Sequence, residues 1–293
     1  MSDDVRSGAV SGGLLPHAGL LPEGALGIDV GMTLTKVVRG AASGVLLEAR
    51  ETHGAFEGGD QAWLAVEAAA PVGVTGARAS LLRDVAAVPV QEIEAGARGA
   101  RALLESAGRL GDGEFLLALL GTGTAFAAVR GTLVQHLGGT PMGGGSFAGI
   151  ARRVEPSLTY DAMIAGATRG DRRRVDVMIA DIYPDGIGRV SADLTAAHVA
   201  RAADGSLDDF LAGLLNMHGE NIAQIAAGRA QAVRMSRVVL AGGFVHGNAA
   251  LVGSIASMAA LFGLSVETAP WPAYAGALGA ALIAAEKRME ATS

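Results

Sequence analysis

Short apolar runs bounded by glycine recur in the first part of the chain and predict a β-sheet there. The runs lie at residues 25–30, 36–38, 45–48, 72–75 and 88–90. Because they carry β-branched residues and are separated by glycine, we interpret them as strands joined by tight turns. Apolar positions at helical spacing predict helices over residues 63–70 and 92–108.

The same pattern restarts after residue 113. Strands are predicted at residues 115–120, 125–129, 132–137, 238–240 and 265–267. The stretch from 143 to 232 is mainly helical, and an alanine-rich helix over 274–287 closes the chain. The repetition predicts a duplicated α/β core with a ligand between its halves, the first over residues 25–112 and the second over 113–293.

Residues 1–24 mix Ser, Gly, Asp and Pro with short apolar pairs. Pro16, His17 and Pro22 interrupt these pairs, so no apolar stretch of signal-peptide length forms. The segment is therefore expected to be a flexible N-terminal tail.

Composition narrows the function classes. The 293 residues are 50% apolar, carry a formal net charge of -6 and include no cysteine. The absence of cysteine excludes disulfides, thiolate zinc sites and cysteine nucleophiles, and it fits a cytoplasmic location. The negative charge without a basic run argues against a nucleic-acid partner. No uncharged apolar stretch reaches the roughly 18 residues of a spanning helix, so no membrane partner is expected.

The first strand ends in a turn with the chemistry of a phosphate site. Asp29, Gly31 and Thr33 alternate there, and Lys36 follows. Glycine lets backbone N–H groups approach phosphate oxygens, Thr33 adds a hydroxyl donor, and Lys36 adds a point charge. Asp29 can hold a hydrated Mg²⁺ ion, because Mg²⁺ favours carboxylate and water ligands.

Three more glycine-rich turns follow strands or precede a helix. They are Gly121-Thr122-Gly123-Thr124, Gly143-Gly144-Gly145-Ser146 and Gly242-Gly243. Four such turns in one chain indicate a polyphosphate ligand, namely ATP. The chain has neither the G-x-x-x-x-G-K-[ST] loop nor a G-x-G-x-x-G after its first strand, which excludes a P-loop enzyme and disfavours a dinucleotide fold. The doubled strand–turn–strand pattern indicates instead the α/β actin/hexokinase-like (ribonuclease H-like) ATPase fold, with a nucleotide cleft between its two halves.

One family shares these turns and several more specific segments. The matching segments are 27–36, 121–124, 138–145, Gly170-Asp171-Arg172, Val175-Asp176, Asp181-Ile182-Tyr183, Phe244-x-x-x-Asn248 and 274–280. Over residues 26–282 the chain thereby resembles the type II pantothenate kinases, which belong to that superfold.

The resemblance implies magnesium-ATP, phosphorylation of the primary hydroxyl of pantothenate in the first step of coenzyme A biosynthesis, and a homodimer. It implies that Glu92 is the general base, with Glu94 as a less favoured candidate, because both carboxylates share a face if the segment is extended. It also implies that Tyr160 contacts the nucleotide and that Thr122 lies at both the nucleotide and the acceptor.

The chain departs from that family in the predicted acceptor pocket. His136 stands where the family has an arginine, Ala125 stands where it has a serine, and Arg78 interrupts a glycine-rich stretch. A fourth change, Met32 for glycine, lies in the first phosphate loop and leaves Gly31 and Thr33 in place. His136 and Arg78 are therefore assigned to the acceptor.

Two alternatives remain open at this point. One is a kinase of the same fold that phosphorylates a different small hydroxy acid or amide, as the changed pocket would allow. The other is a catalytically inactive, nucleotide-binding sensor, against which the retention of Asp29, Lys36 and Glu92 argues. His218, on a predicted helix, is assigned a structural role.

Overall fold

A computed structural model describes residues 10–52, 61–67, 70–83, 85–188 and 190–292 of the chain. Within these residues two large β-sheets carry the helices, and a two-stranded ladder lies apart from both. None of the helices in the described ranges is long and apolar enough to cross a membrane.

The first sheet is built from the N-terminal part of the chain. Its strands are β1 (Val10–Leu15), β2 (Leu26–Val30), β3 (Leu34–Ala41), β4 (Gly44–Glu51), β5 (Val72–Thr75) and β6 (Val88–Pro89). They lie in the order β1-β4-β3-β2-β5-β6. Strands β2, β3 and β4 form an antiparallel meander, while β5 is parallel to β2 and β6 is parallel to β5.

Strand β1 corrects the expectation that residues 1–24 form a flexible tail. Residues 10–15 pair antiparallel with β4, with Leu15 opposite Val45. The edge of β4 offers free backbone N–H and C=O groups, and an added strand satisfies them even where the sequence is poor in β-branched residues. Residues 1–9 lie outside the described part of the chain.

The second sheet repeats the topology of the first. Its strands are β7 (Glu114–Leu120), β8 (Thr124–Arg130), β9 (Leu133–Thr140), β12 (Arg237–Ala241) and β13 (Ser265–Thr268). Their order is β13-β12-β7-β8-β9, again an antiparallel meander followed by two parallel strands. The small ladder pairs β10 (Val177–Met178) with β11 (Thr195–Ala197).

Six helices of the described residues pack around these sheets. They are α1 (Glu92–Ser106), α2 (Gly144–Val154), α3 (Tyr160–Arg169), α4 (Leu207–Val233), α5 (Ala249–Ala260) and α6 (Ala275–Thr292). The helix predicted over 63–70 is a single 3₁₀ turn at Ala62–Leu64, and residues 68 and 69 lie outside the described ranges.

Helices α1 and α6 are exchanged between the two halves. The last helix, α6, packs on β2 and β5 of the first sheet, and α1 packs on the second sheet. The two helices also cross each other at glycines: a Cβ atom on Gly99 would overlap the backbone oxygen of Ala275, and one on Gly279 would overlap that of Ala95. One apolar cluster therefore runs through both halves and includes residues of both sheets and both helices.

The opposite face of the second sheet carries the other core. Phe126 of β8 packs there against α2, α4 and α5, and α4 is buried along most of its length. Apolar residues on all sides of α4 match this position, because a helix enclosed by other elements needs no polar stripe.

Candidate active site

Three charged side chains meet at the ends of β2, β3 and α1. Asp29 lies near the end of β2, and Nζ of Lys36 on β3 is 3.4 Å from its Oδ2, with both side chains mostly buried. Glu92 is the first residue of α1. Partial burial and the negative charge of Asp29 raise the pKa of Glu92, while Lys36 opposes the rise. Glu92 therefore lies within electrostatic range of the Asp29–Lys36 pair.

The Asp29 carboxylate is held between β5 and α6. A Cβ atom on Gly76, directly after β5, would lie 2.6 Å from Oδ1, and one on Gly276, in the first turn of α6, would lie 3.0 Å from Oδ2. Gly76 has φ +98, a conformation that favours glycine. The partial positive charge at the N-terminus of α6 faces the carboxylate and stabilises its negative charge.

The first glycine turn is anchored by a threonine that the sequence reasoning missed. Thr52 donates a side-chain hydrogen bond of 2.9 Å to the Gly31 carbonyl, and its backbone N–H donates to Thr33. Gly31 itself donates to the Leu34 carbonyl at 3.2 Å. Thr52 follows β4 and is remote in sequence from the turn, so no local pattern marks it. The side chain of Thr33 is left exposed, where a ligand can reach it.

The second and third glycine turns form one unit. The N–H of Gly144 donates to the Gly121 carbonyl at 2.9 Å, and that of Gly145 donates to the Thr122 carbonyl at 3.0 Å. These two N–H groups are engaged within the protein, although the sequence suggested that they face phosphate. A Cβ atom on Gly143 would lie 2.6 Å from the Thr122 oxygen, so glycine permits the two turns to touch. The Thr122 side chain stays exposed.

The fourth turn connects the second sheet to the Asp29 site. Gly242, with φ +103, donates its N–H to the Pro272 carbonyl at 2.7 Å, and Gly243 follows it. Pro272 begins the 3₁₀ turn that leads into α6, whose Gly276 contacts Asp29. Turns from both sheets therefore meet around the start of α6.

The third turn carries a buried histidine contact. Oγ of Ser146, in the first turn of α2, is 2.9 Å from Nε2 of His218 on α4. The sequence predicts only a structural role for His218, and no local pattern relates it to Ser146, which lies 72 positions earlier. Tyr160, the first residue of α3, is half-buried against the second core, and burial raises the pKa of its phenol.

Glu92 and Glu94 are separated by helix geometry. Since α1 begins at Glu92, residues two apart project about 200° from each other. The expectation that both share a face required an extended segment and is wrong for the helix. The backbone N–H of Glu94 is held by the Gln91 side chain, which caps α1.

The predicted acceptor residues lie on different elements. His136 on β9 pairs with Ala127 of β8, and it is exposed. Directly paired residues share a sheet face, and Ala127 belongs to the cluster that includes α1, so His136 lies on the α1 side of the sheet. Arg78 is elsewhere: its Nε donates to the sulfur of Met32 at 3.4 Å, beside the first turn.

Two cavities of the described residues lie away from Asp29, Lys36 and Glu92. They measure about 540 and 580 Å³, and one lies between residues 19–23 and α6 and the other beside α4 and α5. The described residues also hold no group of three or more His, Asp or Glu side chains suited to a metal ion.

Comparison with known proteins gives relatives in sequence and, separately, relatives in structure. The model of the Fumble family matches residues 114–283. The type II pantothenate kinase of Oceanobacillus iheyensis is 30% identical over 229 residues, which cover 76% of this chain and 85% of that protein. The type II pantothenate kinase of Staphylococcus haemolyticus is 29% identical over 263 residues, 87% of this chain and 98% of that protein.

Solved structures share the fold at lower identity. An activator of 2-hydroxyisocaproyl-CoA dehydratase from Clostridium difficile, with bound ADPNP, has a TM-score of 0.62 at 18% identity and covers 92% of this chain and 96% of its own. A ROK family glucokinase from Streptomyces griseus, in complex with glucose and AMPPNP, has a TM-score of 0.52 at 16% identity, with coverages of 89% and 99%. At these identities the likeness concerns the fold alone. It confirms the duplicated actin/hexokinase-like ATPase fold predicted from the sequence.

Proposed function

Because the chain belongs to the Fumble family, whose model spans more than half of it, we propose that it is an ATP-dependent pantothenate kinase. It transfers the terminal phosphoryl group of ATP to the primary hydroxyl of pantothenate, giving 4'-phosphopantothenate in the first step of coenzyme A biosynthesis. The observation that carries the proposal is the ion pair of Asp29 and Lys36 beside the first glycine turn, with Glu92 at the start of α1 within electrostatic range of both.

Glu92 is proposed as the general base. Burial and Asp29 raise the pKa of its carboxyl, which makes it a stronger proton acceptor than an ordinary glutamate. As the acceptor hydroxyl attacks the γ-phosphorus, the O–H bond breaks, its proton passes to Glu92, and ADP leaves. Its place on the first turn of α1 gives Glu92 a defined backbone position for that transfer.

The phosphates are proposed to lie over the glycine turns. Lys36 supplies a positive charge, and the exposed hydroxyls of Thr33 and Thr122 supply donors. The transition state of phosphoryl transfer spreads charge over the phosphoryl oxygens, so placement and electrostatics account for most of the rate. The proposed ATP contacts also include Gly31, Gly123, Gly143, Ser146, Tyr160, Gly242 and Gly243. Gly144 and Gly145 remain in this set only through the close approach that glycine allows, because their N–H groups are engaged within the protein.

The residues present fit a magnesium ion that is held mainly by the nucleotide. Mg²⁺ keeps several waters and takes one or two carboxylates together with substrate phosphates, so Asp29 suffices as the protein ligand. A bound Mg²⁺ ion would offset phosphate charge during the transfer. Lys36 balances the Asp29 carboxylate at 3.4 Å in the structure.

A homodimer and a cytoplasmic location also belong to this proposal. The dimer rests on the family, and the location rests on the absence of cysteine from a chain that acts on a metabolite. Sedimentation of the purified chain tests the dimer, and fractionation of the source cells tests the location.

The experiment that tests the function is ADP release from magnesium-ATP with and without pantothenate. Wild-type protein is expected to release ADP only when pantothenate is present, and Glu92→Gln is expected to lose that release while still binding ATP. Glu94→Gln is the matched control, since it makes the same change two residues along α1 on another face.

Three outcomes would contradict parts of the proposal. Equal loss in both variants would reject Glu92 as the base. ATP binding without any response to pantothenate would reject the acceptor and turn attention to Ala125 and His136, with a screen of small hydroxy acids and amides as the next step. The absence of phosphoryl transfer to every acceptor in that screen would favour the inactive sensor.

A further inference from the structure

His218 is buried in the second core, where it has two hydrogen-bond partners. The residue is 1% exposed. Its Nδ1 is 2.8 Å from the Leu214 carbonyl oxygen, one turn earlier on α4, and its Nε2 is 2.9 Å from Oγ of Ser146. A carbonyl can only accept, so Nδ1 carries a hydrogen. Burial lowers the pKa of the imidazole, which favours the neutral ring and leaves Nε2 as an acceptor.

The neutral tautomer of the His218 ring determines which hydrogen bond the Ser146 hydroxyl donates. Its single hydroxyl hydrogen goes to Nε2 of His218, so Oγ faces its other neighbours as an acceptor. Oγ is 3.1 Å from the Gly143 N–H, and this bond closes the turn of residues 143–146. Without an acceptor at His218, the hydroxyl would turn to the Gly143 carbonyl, also 3.1 Å away. His218 therefore fixes the direction of the Ser146 hydroxyl, while the Gly143 N–H can donate to Oγ in either case.

The same ring links the third glycine turn to the fourth. The His218 ring lies edge-on to Phe147, with centroids 5.9 Å apart, and edge-on to Phe244, with centroids 6.1 Å apart. Phe147 follows Ser146, and Phe244 follows Gly242-Gly243. Edge-to-face contacts of this kind fix ring orientation as well as distance. Turns from two remote segments are thus held against one buried side chain.

From this geometry we propose that His218 is a positioning residue for ATP. It acts through Ser146, whose hydroxyl it orients in the first turn of α2, beside the turns where the phosphates are proposed to bind. Its substitution changes the affinity for ATP and leaves the proton transfer at Glu92 unaffected. The inference rests on the proposed kinase function.

Two substitutions separate the hydrogen bond to Ser146 from the bond to Leu214. His218→Asn places an amide near the position of Nδ1 and keeps a donor for the Leu214 carbonyl, but it is too short to reach Ser146. His218→Gln places an amide oxygen near the position of Nε2, where it accepts from Ser146. The two variants remove the same ring contacts with Phe147 and Phe244, so each is a control for the other.

The expected result is a split between the kinetic constants. His218→Asn should raise the KM for ATP about tenfold, the size expected for one lost hydrogen bond, with kcat and the KM for pantothenate within about threefold of wild type. His218→Gln should recover most of the lost ATP affinity. Ser146→Ala should raise the KM for ATP similarly, and adding His218→Asn to it should cause little further loss.

The contrary results are equally specific. Equal losses in the Asn and Gln variants would show that the ring is needed only for packing. An unchanged KM for ATP in His218→Asn, in protein that circular dichroism shows to be folded, would also overturn the proposal. If the wild-type protein has no pantothenate-dependent activity, calorimetric ATP affinities of the same variants still test His218, so failure of the proposed function is recognised separately.

Discussion

The carboxylate of Asp29 occupies the space that a side chain at Gly276 would fill, since a Cβ atom there would lie 3.0 Å from Oδ2. This close approach joins the end of β2 to the first turn of α6, two elements that are almost 250 residues apart in sequence. Any side chain at position 276 must therefore displace the group proposed to hold Mg²⁺.

Gly276→Ala is expected to reduce activity without unfolding the protein. The contact is only slightly too short, so Asp29 shifts by a few tenths of an ångström, and we expect kcat/KM to fall about tenfold or more because positioning errors of this kind are costly. The measurement is steady-state kinetics together with thermal unfolding.

Gly253→Ala is the control for this substitution. Gly253 lies on α5, with no heavy atom within 4 Å of an added Cβ. Alanine there should stabilise the helix by about 0.5–1 kcal/mol and leave kcat/KM unchanged. Equal kinetics for Gly276→Ala and wild type would mean that the position of Asp29 is not critical.

Gly279→Ala is expected to destabilise the whole fold. A Cβ atom there overlaps the Ala95 backbone oxygen, and a backbone atom cannot rotate away as a flexible side chain can. Separation of α1 from α6 should cost about 1–3 kcal/mol or more, as overpacked cores do. Urea unfolding measures this cost, and a change below about 0.5 kcal/mol, the usual range for surface substitutions, would contradict the close helix crossing.

The loss of kcat/KM at low pH should reflect protonation of the Glu92 carboxylate. Because the pKa of Glu92 is raised, its ionised, active form predominates only at pH values above the ordinary glutamate pKa of 4.5. The value of kcat/KM for pantothenate at saturating ATP should therefore rise with pH, with a midpoint above 4.5.

Substitution of Lys36 tests whether the titration in the pH profile belongs to Glu92. Lys36 lowers the pKa of Glu92, so Lys36→Gln should move the acid limb to still higher pH. A limb that moves to lower pH, or that persists in Glu92→Gln, would assign the titration to another group. ATP must be kept saturating, because Lys36 is also a proposed phosphate contact.

We expect removal of the Asp176 carboxylate to lower the free energy of unfolding more than removal of any other carboxylate. It is fully buried, accepts from the Val199 N–H at 2.7 Å and lies 3.5 Å from Nη1 of Arg172. Asp176→Ala leaves the Val199 N–H without its partner and removes the negative charge beside Arg172, whose Nη1 keeps its hydrogen bond to Thr195. The substitution should lower the free energy of unfolding by about 3 kcal/mol or more.

The contrast is Asp193, whose side chain is 76% exposed and pairs with Arg173 at 2.9 Å. An exposed pair is worth only about 0–1 kcal/mol, so Asp193→Ala should change stability little. Chemical denaturation of both variants checks the difference. Similar losses would mean that the buried network around Asp176 contributes no more than a surface pair.

The sequence was informative wherever the signal was local. Apolar runs such as 115–120 predicted the strands of both sheets except β1, because a buried strand must be apolar regardless of its partner. The glycine turns, with Asp29 and Lys36 beside the first of them, were predicted for the same reason, because glycine at a strand end indicates a tight turn that adjacent residues alone determine. The resemblance added Glu92, whose coupling to Asp29 composition alone would not suggest.

Other features depend on contacts between remote segments. The bond from Ser146 to His218 and the anchoring of Gly31 by Thr52 join residues that no periodicity relates. Strand β1 forms because β4 offers an edge, so its own sequence gives little sign of it. The use of the Gly144 and Gly145 N–H groups within the protein likewise becomes visible only when the second turn is placed beside the third.

The exchange of α1 and α6 has a consequence for synthesis. The ribosome makes the first sheet early, but the helix that covers its β2 and β5 strands emerges only after the strands of the second sheet. During translation this sheet must remain uncovered until residues 275–292 are available, while α1 waits for the second sheet. Nascent chains of this protein therefore pass through a long stage with an exposed apolar face, where chaperones would bind, and loss of the final helix would leave the oldest part of the chain uncovered.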